Sequence, residues 1–188
     1  MYSDSMKELR LSTGRRIVVD YDESSLVSNP RDFDPVTKLI GLKSSKYSLF
    51  DETFDSIESL YDERDKVLRE GAFVFNLYMY KHSCVVLSVY PFADKWDSCQ
   101  IGFCIVQKNT KNAREVAESE LTVFNKWLNG EVFEVYVAHP DGFDTVIDDF
   151  VGGCFIDNED DLRDVLYGLD LTKWERREAL DNLDKLMP

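Results

Sequence analysis

Several short stretches of the chain are runs of mainly apolar and β-branched residues between polar turns, and this pattern predicts β-strands. The first predicted strand is Arg16 to Asp22, which follows a turn at Gly14. The remaining predicted strands are 73–80, 84–90, 100–107, 131–138 and 150–156. Gly152 and Gly153 either weaken the strand at 150–156 or mark a bulge in it. The three central runs predict an antiparallel meander whose first connection is a short hairpin.

Other stretches repeat their apolar positions every three to four residues, which is typical of helices. Two long helices are predicted at 53–70, closed by Gly71, and at 113–129, closed by Gly130. Asp157 or Asn158 caps a shorter helix that runs to Tyr167. The capping-box pair Thr172 and Glu175 begins a last helix. We therefore predict an α+β fold, in which an antiparallel sheet, a meander of about five strands, packs against helices and the chain ends in a helical pair.

A chain of 188 residues with 44% hydrophobic residues is long enough to bury one core, and it contains no internal repeat and no linker. We predict a single domain, 1–188. A long polar connection at 23–35 holds Pro30 and Pro35, which favour an extended loop.

The net charge of the chain restricts the kinds of molecule that it can bind. Lys and Arg number 22 against 36 Asp and Glu, a net charge of −14, which opposes direct contact with nucleic acid or with anionic lipid. The apolar runs are too short to span a membrane and the N-terminal segment is polar, so we expect a cytoplasmic protein. The four cysteines form no CxxC pair, which favours reduced thiols over disulfides or a zinc site.

Motifs that betray common enzyme classes are absent: the sequence has no phosphate loop, no HExxH and no GxSxG. His82 and Cys84, two residues apart, are a conceivable catalytic pair, but no orienting partner is visible in the sequence. We assign no catalytic residue and expect no cofactor.

Two loops contain other candidate chemistry. In NPRDFD, Asn29 to Asp34, the carboxylates of Asp32 and Asp34 are of the type that binds Mg²⁺ or Ca²⁺. The same residue types are common in turns, and Arg31 is available to pair with an acid, so we assign no metal site. The aromatic residues around Trp96 form either a partner-binding loop or a segment that folds back onto the core.

The last quarter of the chain is the most acidic part. Residues 141–188 contain 14 acids and 5 bases, so most of the net charge lies there. Asp157, Asp160, Asp161 and Asp164 are predicted to share one helical face, with a spacing that imitates a row of phosphates. The alternative interpretation is a solvated acidic face that keeps the protein soluble. The predicted partner-binding residues are Asp148, Asp149, Asp157, Glu159, Asp160, Asp161 and Asp164.

Three stretches carry a family resemblance: NPRDFD, then YMYKHS with YPFADKWDSCQIGF, and WLNGEVFEVYV. Together they resemble a family of phage and prophage proteins of unknown activity. Cys84 and Cys99 depart from that pattern, which has small residues there. The resemblance implies a mobile-element protein in the cytosol of a bacterial host, and small acidic phage proteins resemble inhibitors of host defence. No catalytic residue is transferred.

Three hypotheses follow. The first is a non-enzymatic phosphate mimic that occupies the basic nucleic-acid groove of a bacterial defence effector, a nuclease or CRISPR complex, as anti-CRISPR or antirestriction proteins do. The second is a metal-dependent enzyme or small-ligand binder that uses the carboxylates at 29–34 with Asp94, Asp97 or His82. The third is a structural or assembly protein of the phage particle. The sequence fixes neither the target nor the oligomeric state.

Overall fold

A computed structural model describes residues 6–23, 28–44 and 48–188. It confirms the α+β class. The strands are β1 Lys7–Arg10, β2 Arg16–Tyr21, β3 Thr37–Leu42, β4 Glu52–Phe54, β5 Phe73–Lys81, β6 Val85–Ser88, β7 Ser98–Val106, β8 Phe133–Asp141 and β9 Asp144–Cys154. The α-helices are α1 Ile57–Arg69, α2 Ala113–Asn129, α3 Glu159–Gly168 and α4 Lys173–Leu180, and short 3₁₀ turns lie at Pro30–Asp32 and Leu183–Lys185.

The chain divides into two compact units. The terminal unit comprises Met1–Ser28 and Gly130–Pro188, and the central unit comprises Asn29–Asn129. Each has its own sheet and its own buried apolar clusters. The prediction of a single domain over 1–188 stays a prediction.

The terminal unit is a four-stranded antiparallel sheet in the order β1-β2-β8-β9. Alternate residues of its central strands, such as Ile17, Val19 and Val137, are fully buried. They pack against Leu162 and Leu166 of α3. Because side chains alternate across a strand, these three residues share the face of the sheet that the helices cover.

The central unit is a five-stranded sheet in the order β4-β3-β7-β5-β6, in which β3 and β4 pair in parallel and the other neighbours are antiparallel. The order differs from a meander, because β7 pairs with β5 and β3 instead of β6. The residues Phe103–Val106 of β7 are all buried. A strand that is apolar on both sides needs the middle of a sheet with both faces covered, and the connection at 89–97 is long enough to reach it.

Helices cover the two faces of the central sheet. On one face, Leu121 and Phe124 of α2 pack with Leu39 and Cys104. On the other, Leu60 of α1 packs with Phe103. Among the described residues, no helix is long and apolar enough to cross a membrane.

Several local predictions are confirmed. The helix α2 has the predicted bounds, β5 and β6 form the predicted hairpin, Asn158 caps α3, and Thr172 forms a capping box with Glu175. Other bounds were wrong. The first long helix begins at Ile57 instead of Thr53, because β4 pairs with β3 just before it and Ser56 caps it.

The last strand was placed too late. It begins at Asp144 instead of Phe150, directly after a two-residue turn at Gly142 and Phe143. Gly142 has φ 63°, a conformation that favours glycine at the first position of such a turn. Three strands, β1, β3 and β4, have no counterpart in the sequence-based prediction.

Candidate functional site

The acidic character of the protein belongs to one unit. The terminal unit contains 21 acidic and 9 basic residues, a formal net charge of −12, whereas the central unit contains 15 and 13, a net charge of −2. The sequence analysis located the excess at 141–188, and the fold adds the acids of β2 and β8 to the same unit. The terminal unit is therefore the part of the molecule with an electrostatic preference for cationic partners.

Asp148 is neutralised inside the fold. One carboxylate oxygen accepts from Arg15 Nε at 3.0 Å, and the other lies 2.8 Å from His139 Nδ1. Its position is a bulge, since β8 pairs Val137 with Asp149 and then Ala138 with Ile147. The charge of this predicted partner-binding residue is therefore held by the protein's own cation.

Asp149 also serves the fold. Its two oxygens accept the backbone N–H groups of Phe150 and Asp170, at 2.9 and 2.7 Å. The second bond ties β9 to the segment between α3 and α4. The hydrogen-bonding atoms of Asp149 are therefore directed at the backbone.

The predicted acidic face of the short helix needs correction. Asp157 precedes the N-cap residue Asn158 and is not part of α3. Asp161 bends back to accept the N–H groups of residues 157 and 158, at 2.9 and 3.2 Å, as the second half of a capping box. Asp160 pairs with Arg163, one turn further along.

Glu159 and Asp164 make no ion pair with any part of the chain that the structure describes, and both are exposed. The seven predicted carboxylates thus do not form a uniform row. Caps, ion pairs and backbone contacts hold Asp148, Asp149, Asp160 and Asp161.

A buried network joins α4 to the turn between β1 and β2. Glu175 is 1% exposed and accepts from Thr13 Oγ1 at 2.6 Å, from Thr172 Oγ1 at 2.8 Å and from Arg15 at 3.2 Å. Burial by itself raises the pKa of Glu175, but these hydrogen bonds and the Arg15 charge outweigh it, so the pKa lies below its ordinary value. The network stabilises the fold, because its donor and acceptor atoms are already bonded to one another.

Sequence reasoning missed the densest group of like charges. Asp20 of β2 lies directly opposite Glu134 of β8, and Asp22 and Glu23 follow at the end of β2. We call these four residues the strand-end carboxylates. The pKa of Glu134 is raised, first by burial and then by the charges of Asp22, Asp20 and Glu23. Only the strand register brings positions 20 and 134 together, so no local pattern in the sequence points to this group.

Like charges directly opposite each other on neighbouring strands destabilise a sheet. The charges that act on Glu134 all come from carboxylates, with no lysine or arginine among them. Asp22 accepts the N–H of Gly153 at 2.8 Å.

In the central unit, the NPRDFD motif is organised around a buried arginine. Arg31 is 6% exposed and binds Asp51, Glu120 and Thr37. Asn29 caps the short turn by accepting the N–H of Arg31 at 2.9 Å. The motif therefore fastens the start of β3 to α2 and to the strand-linking segment at Asp51.

The two aspartates of that motif do not converge on a site. Asp32 is exposed at the end of the 3₁₀ turn, and Asp34 has φ 48° in the next turn. Within residues 6–23, 28–44 and 48–188, no group of three or more His, Cys, Asp or Glu side chains is arranged to hold a metal ion.

The fold gives His82 a partner that the sequence did not reveal. His82 Nδ1 lies 3.2 Å from the carboxylate of Asp97, and the N–H of Lys81 donates to the Asp97 carbonyl at 2.8 Å. The KHS and WDS segments of the family resemblance are therefore neighbours. The His82 side chain is 69% exposed, and the Cys84 carbonyl accepts the His82 N–H at 3.3 Å.

The aromatic residues around Trp96 differ in which of the two interpretations they support. Phe92 contacts the ring of Tyr80, with centroids 5.6 Å apart, as expected for a segment that folds back. Trp96 is 97% exposed, and Asp94 accepts its N–H at 2.8 Å. Trp96 therefore does not pack on the core.

The buried cysteines are poor nucleophiles. Burial raises the pKa of Cys104 to about 12 and that of Cys154 to about 11. Cys99 is exposed.

Comparisons of the chain with protein-family models, with curated proteins and with solved structures find no match. The resemblance to phage and prophage proteins therefore stays a prediction, and the case for function depends on the site itself.

Proposed function

We propose that this protein is a non-enzymatic inhibitor that binds the basic nucleic-acid groove of a bacterial defence effector through the acidic surface of its terminal unit. One observation carries the proposal: Asp20 faces Glu134 across the β2–β8 pair, with two further carboxylates beside them. The unit's net charge of −12 supports it.

The physical reason is a local conflict that a partner would relieve. A like-charged cross-strand pair costs the folded protein on the order of 0.2–1 kcal/mol. Sites at which a sequence breaks a local rule of stability are those where a functional demand is expected. Lysine or arginine side chains that line a nucleic-acid groove would turn this repulsion into attraction.

The strand-end carboxylates replace the row on α3 as the centre of the proposed contact. Glu159 and Asp164 extend the negative surface of the same unit, since both are exposed. Asp148 and Asp161 are assigned no direct role, because Arg15 and the cap of α3 hold their carboxylates.

The test is a binding and inhibition assay with purified CRISPR effector complexes and restriction endonucleases, each with and without its nucleic acid. The site variant combines Asp20→Asn with Glu134→Gln, which removes two charges and keeps the side-chain sizes. The matched control combines Glu58→Gln with Asp62→Asn, two exposed acids on α1 of the central unit.

We expect binding to the nucleic-acid-free form of an effector, competition by its nucleic acid, and a steep loss of association with added salt. The site variant should weaken binding by about tenfold or more, equivalent to about 1.4 kcal/mol. Removing the repulsion should not unfold the protein, so a loss of binding would be a direct effect. Equal losses in the control, or no binding to any effector, would overturn the proposal.

A further inference from the structure

The outer edge of β9 combines an open backbone with exposed apolar side chains. In the sheet order, β9 is terminal, and no described strand pairs with its outer side. Phe143, Ile147 and Phe150 are 109%, 56% and 65% exposed. An edge strand of eleven residues with this composition is a template for a further strand.

The direction of the free backbone groups follows from the hairpin. Asp141 and Asp144 flank the two-residue turn, so they form a hydrogen-bonded pair, and such pairs alternate along an antiparallel ladder. The non-hydrogen-bonded pairs of the ladder therefore include Thr145 with Pro140 and Ile147 with Ala138. In these pairs, the N–H and C=O groups of the β9 residue point away from β8, toward the open edge. Pro140 fits this register, because it has no N–H to donate.

The side chains of the edge differ between its two faces. Ile147 lies opposite Ala138 and Phe150 opposite Tyr136, so Ile147 and Phe150 share one face. Asp144, opposite Asp141, and Val146, opposite His139, lie on the other face. An added strand would therefore meet apolar groups on one side and a carboxylate beside an apolar side chain on the other.

We infer that β9 binds an extended segment of the partner protein by strand addition, and that this segment alternates apolar with basic residues. The inference rests on the proposed function, because it names how the cationic partner is held. Charge complementarity selects this occupant over a second copy of the chain, since two terminal units would bring charges of −12 together. Backbone hydrogen bonds and pockets for alternate side chains are the usual basis of strand addition.

The probe is the peptide acetyl-KVKVKVKV-amide, compared with acetyl-KKKKVVVV-amide, which has the same charge and composition but no alternation. Binding is measured by titration calorimetry, and hydrogen exchange of the β9 amides is followed by NMR. We expect the alternating peptide to bind at least about tenfold more tightly. Its binding should also slow the exchange of the Thr145 and Ile147 amides.

The decisive variant is Thr145→Pro, which removes an outward N–H and leaves the ladder to β8 intact. It should weaken the alternating peptide by about fivefold to tenfold, as for loss of one hydrogen bond. Because Thr145 Oγ1 also accepts from Arg16 at 2.7 Å, the control is Thr145→Val, which loses that bond, keeps the N–H and should bind normally. Ile147→Thr should weaken binding through the apolar face.

Equal binding of the two peptides, or a Thr145→Pro variant that binds normally, would overturn strand addition. So would a concentration-dependent dimer, seen by sedimentation and abolished by Thr145→Pro, because the occupant would then be a second copy. Failure of the proposed function gives a different result from failure of strand addition: no effector would bind the protein, whether or not the peptides bind it. If effectors bind and the Thr145→Pro variant inhibits them normally, only this inference fails.

Discussion

Replacing Glu175 by alanine should destabilise the terminal unit more than any other exchange of a charged residue on α4. The carboxylate is 1% exposed and accepts from Thr13, from Arg15 and from both the N–H and the hydroxyl of Thr172. Without it, one guanidinium nitrogen of Arg15 and three further hydrogen-bond donors lose their acceptor, and the capping box of α4 is broken.

The expected loss follows from these contacts. Removing one partner of a buried ion pair typically costs 3–5 kcal/mol, and we take the lower end, about 3 kcal/mol, because Arg15 keeps 22% of its side chain exposed. A domain of this size is typically stable by about 5–15 kcal/mol, so the loss is a large fraction of the total. Glu175→Gln keeps an acceptor oxygen and should cost less.

The chain offers a matched control one turn away. Glu178 binds the same turn between β1 and β2, where it accepts the N–H of Ser12 at 3.0 Å and its hydroxyl at 2.8 Å. These bonds are exposed to solvent, so Glu178→Ala should cost only about 1 kcal/mol. The measurement is urea unfolding followed by circular dichroism, with hydrogen exchange of α4 as a local readout.

The same variant predicts a dependence on pH. Because the folded-state pKa of Glu175 lies below its ordinary value of 4.5, its contribution is fully present above that value and is lost as pH falls through the folded pKa. The difference between the wild type and Glu175→Ala should therefore be constant near neutrality and shrink below about pH 4.5. Equal effects of the two alanine variants, or a loss under about 1 kcal/mol at Glu175, would refute this account of the network.

Three further outcomes are expected. Arg31→Met should destabilise the central unit by about 3 kcal/mol in urea unfolding, because Asp51 and Glu120 would lose the buried guanidinium that pairs with them. Asp32→Ala should change stability by less than about 0.5 kcal/mol; similar effects would contradict the role given to the motif. Glu134→Gln should stabilise the terminal unit by about 0.2–1 kcal/mol at pH 7, because it removes one of two facing charges. Because the pKa of Glu134 is raised, this gain should disappear at acidic pH, where the wild-type carboxylate is protonated as well. A variant less stable than the wild type would refute the repulsion. In the native protein, a thiol reagent should modify Cys99, whereas Cys104 should react only in denaturant; rapid native labelling of Cys104 would contradict its burial.

Features that depend on residues close in the chain were predictable. The bounds of α2, the Asn158 cap and the Thr172–Glu175 capping box follow from side chains three or four positions apart. The acidity of the last quarter is a matter of composition. Such features need no knowledge of the rest of the fold, because helix hydrogen bonds and caps are local.

The strand order was beyond the sequence. Three apolar runs in succession favour a meander, but the burial of β7 on both faces requires β3 and β5 as its neighbours. The strand β3 was not recognised beforehand. Pairing between strands far apart in the chain depends on which arrangement buries the most apolar surface. The residues of a single strand do not determine that arrangement.

The sequence by itself determined that this protein is acidic, where α2 begins and ends, and that several short strands build its sheets. The tertiary structure decided what each charge contacts. It placed Arg15 against Asp148, 133 positions away, and so paired that acid within the fold. It set Asp20 opposite Glu134 and so created the strand-end carboxylates. An electrostatic interaction depends on distance in space, and the sheet register fixes that distance between residues far apart along the chain.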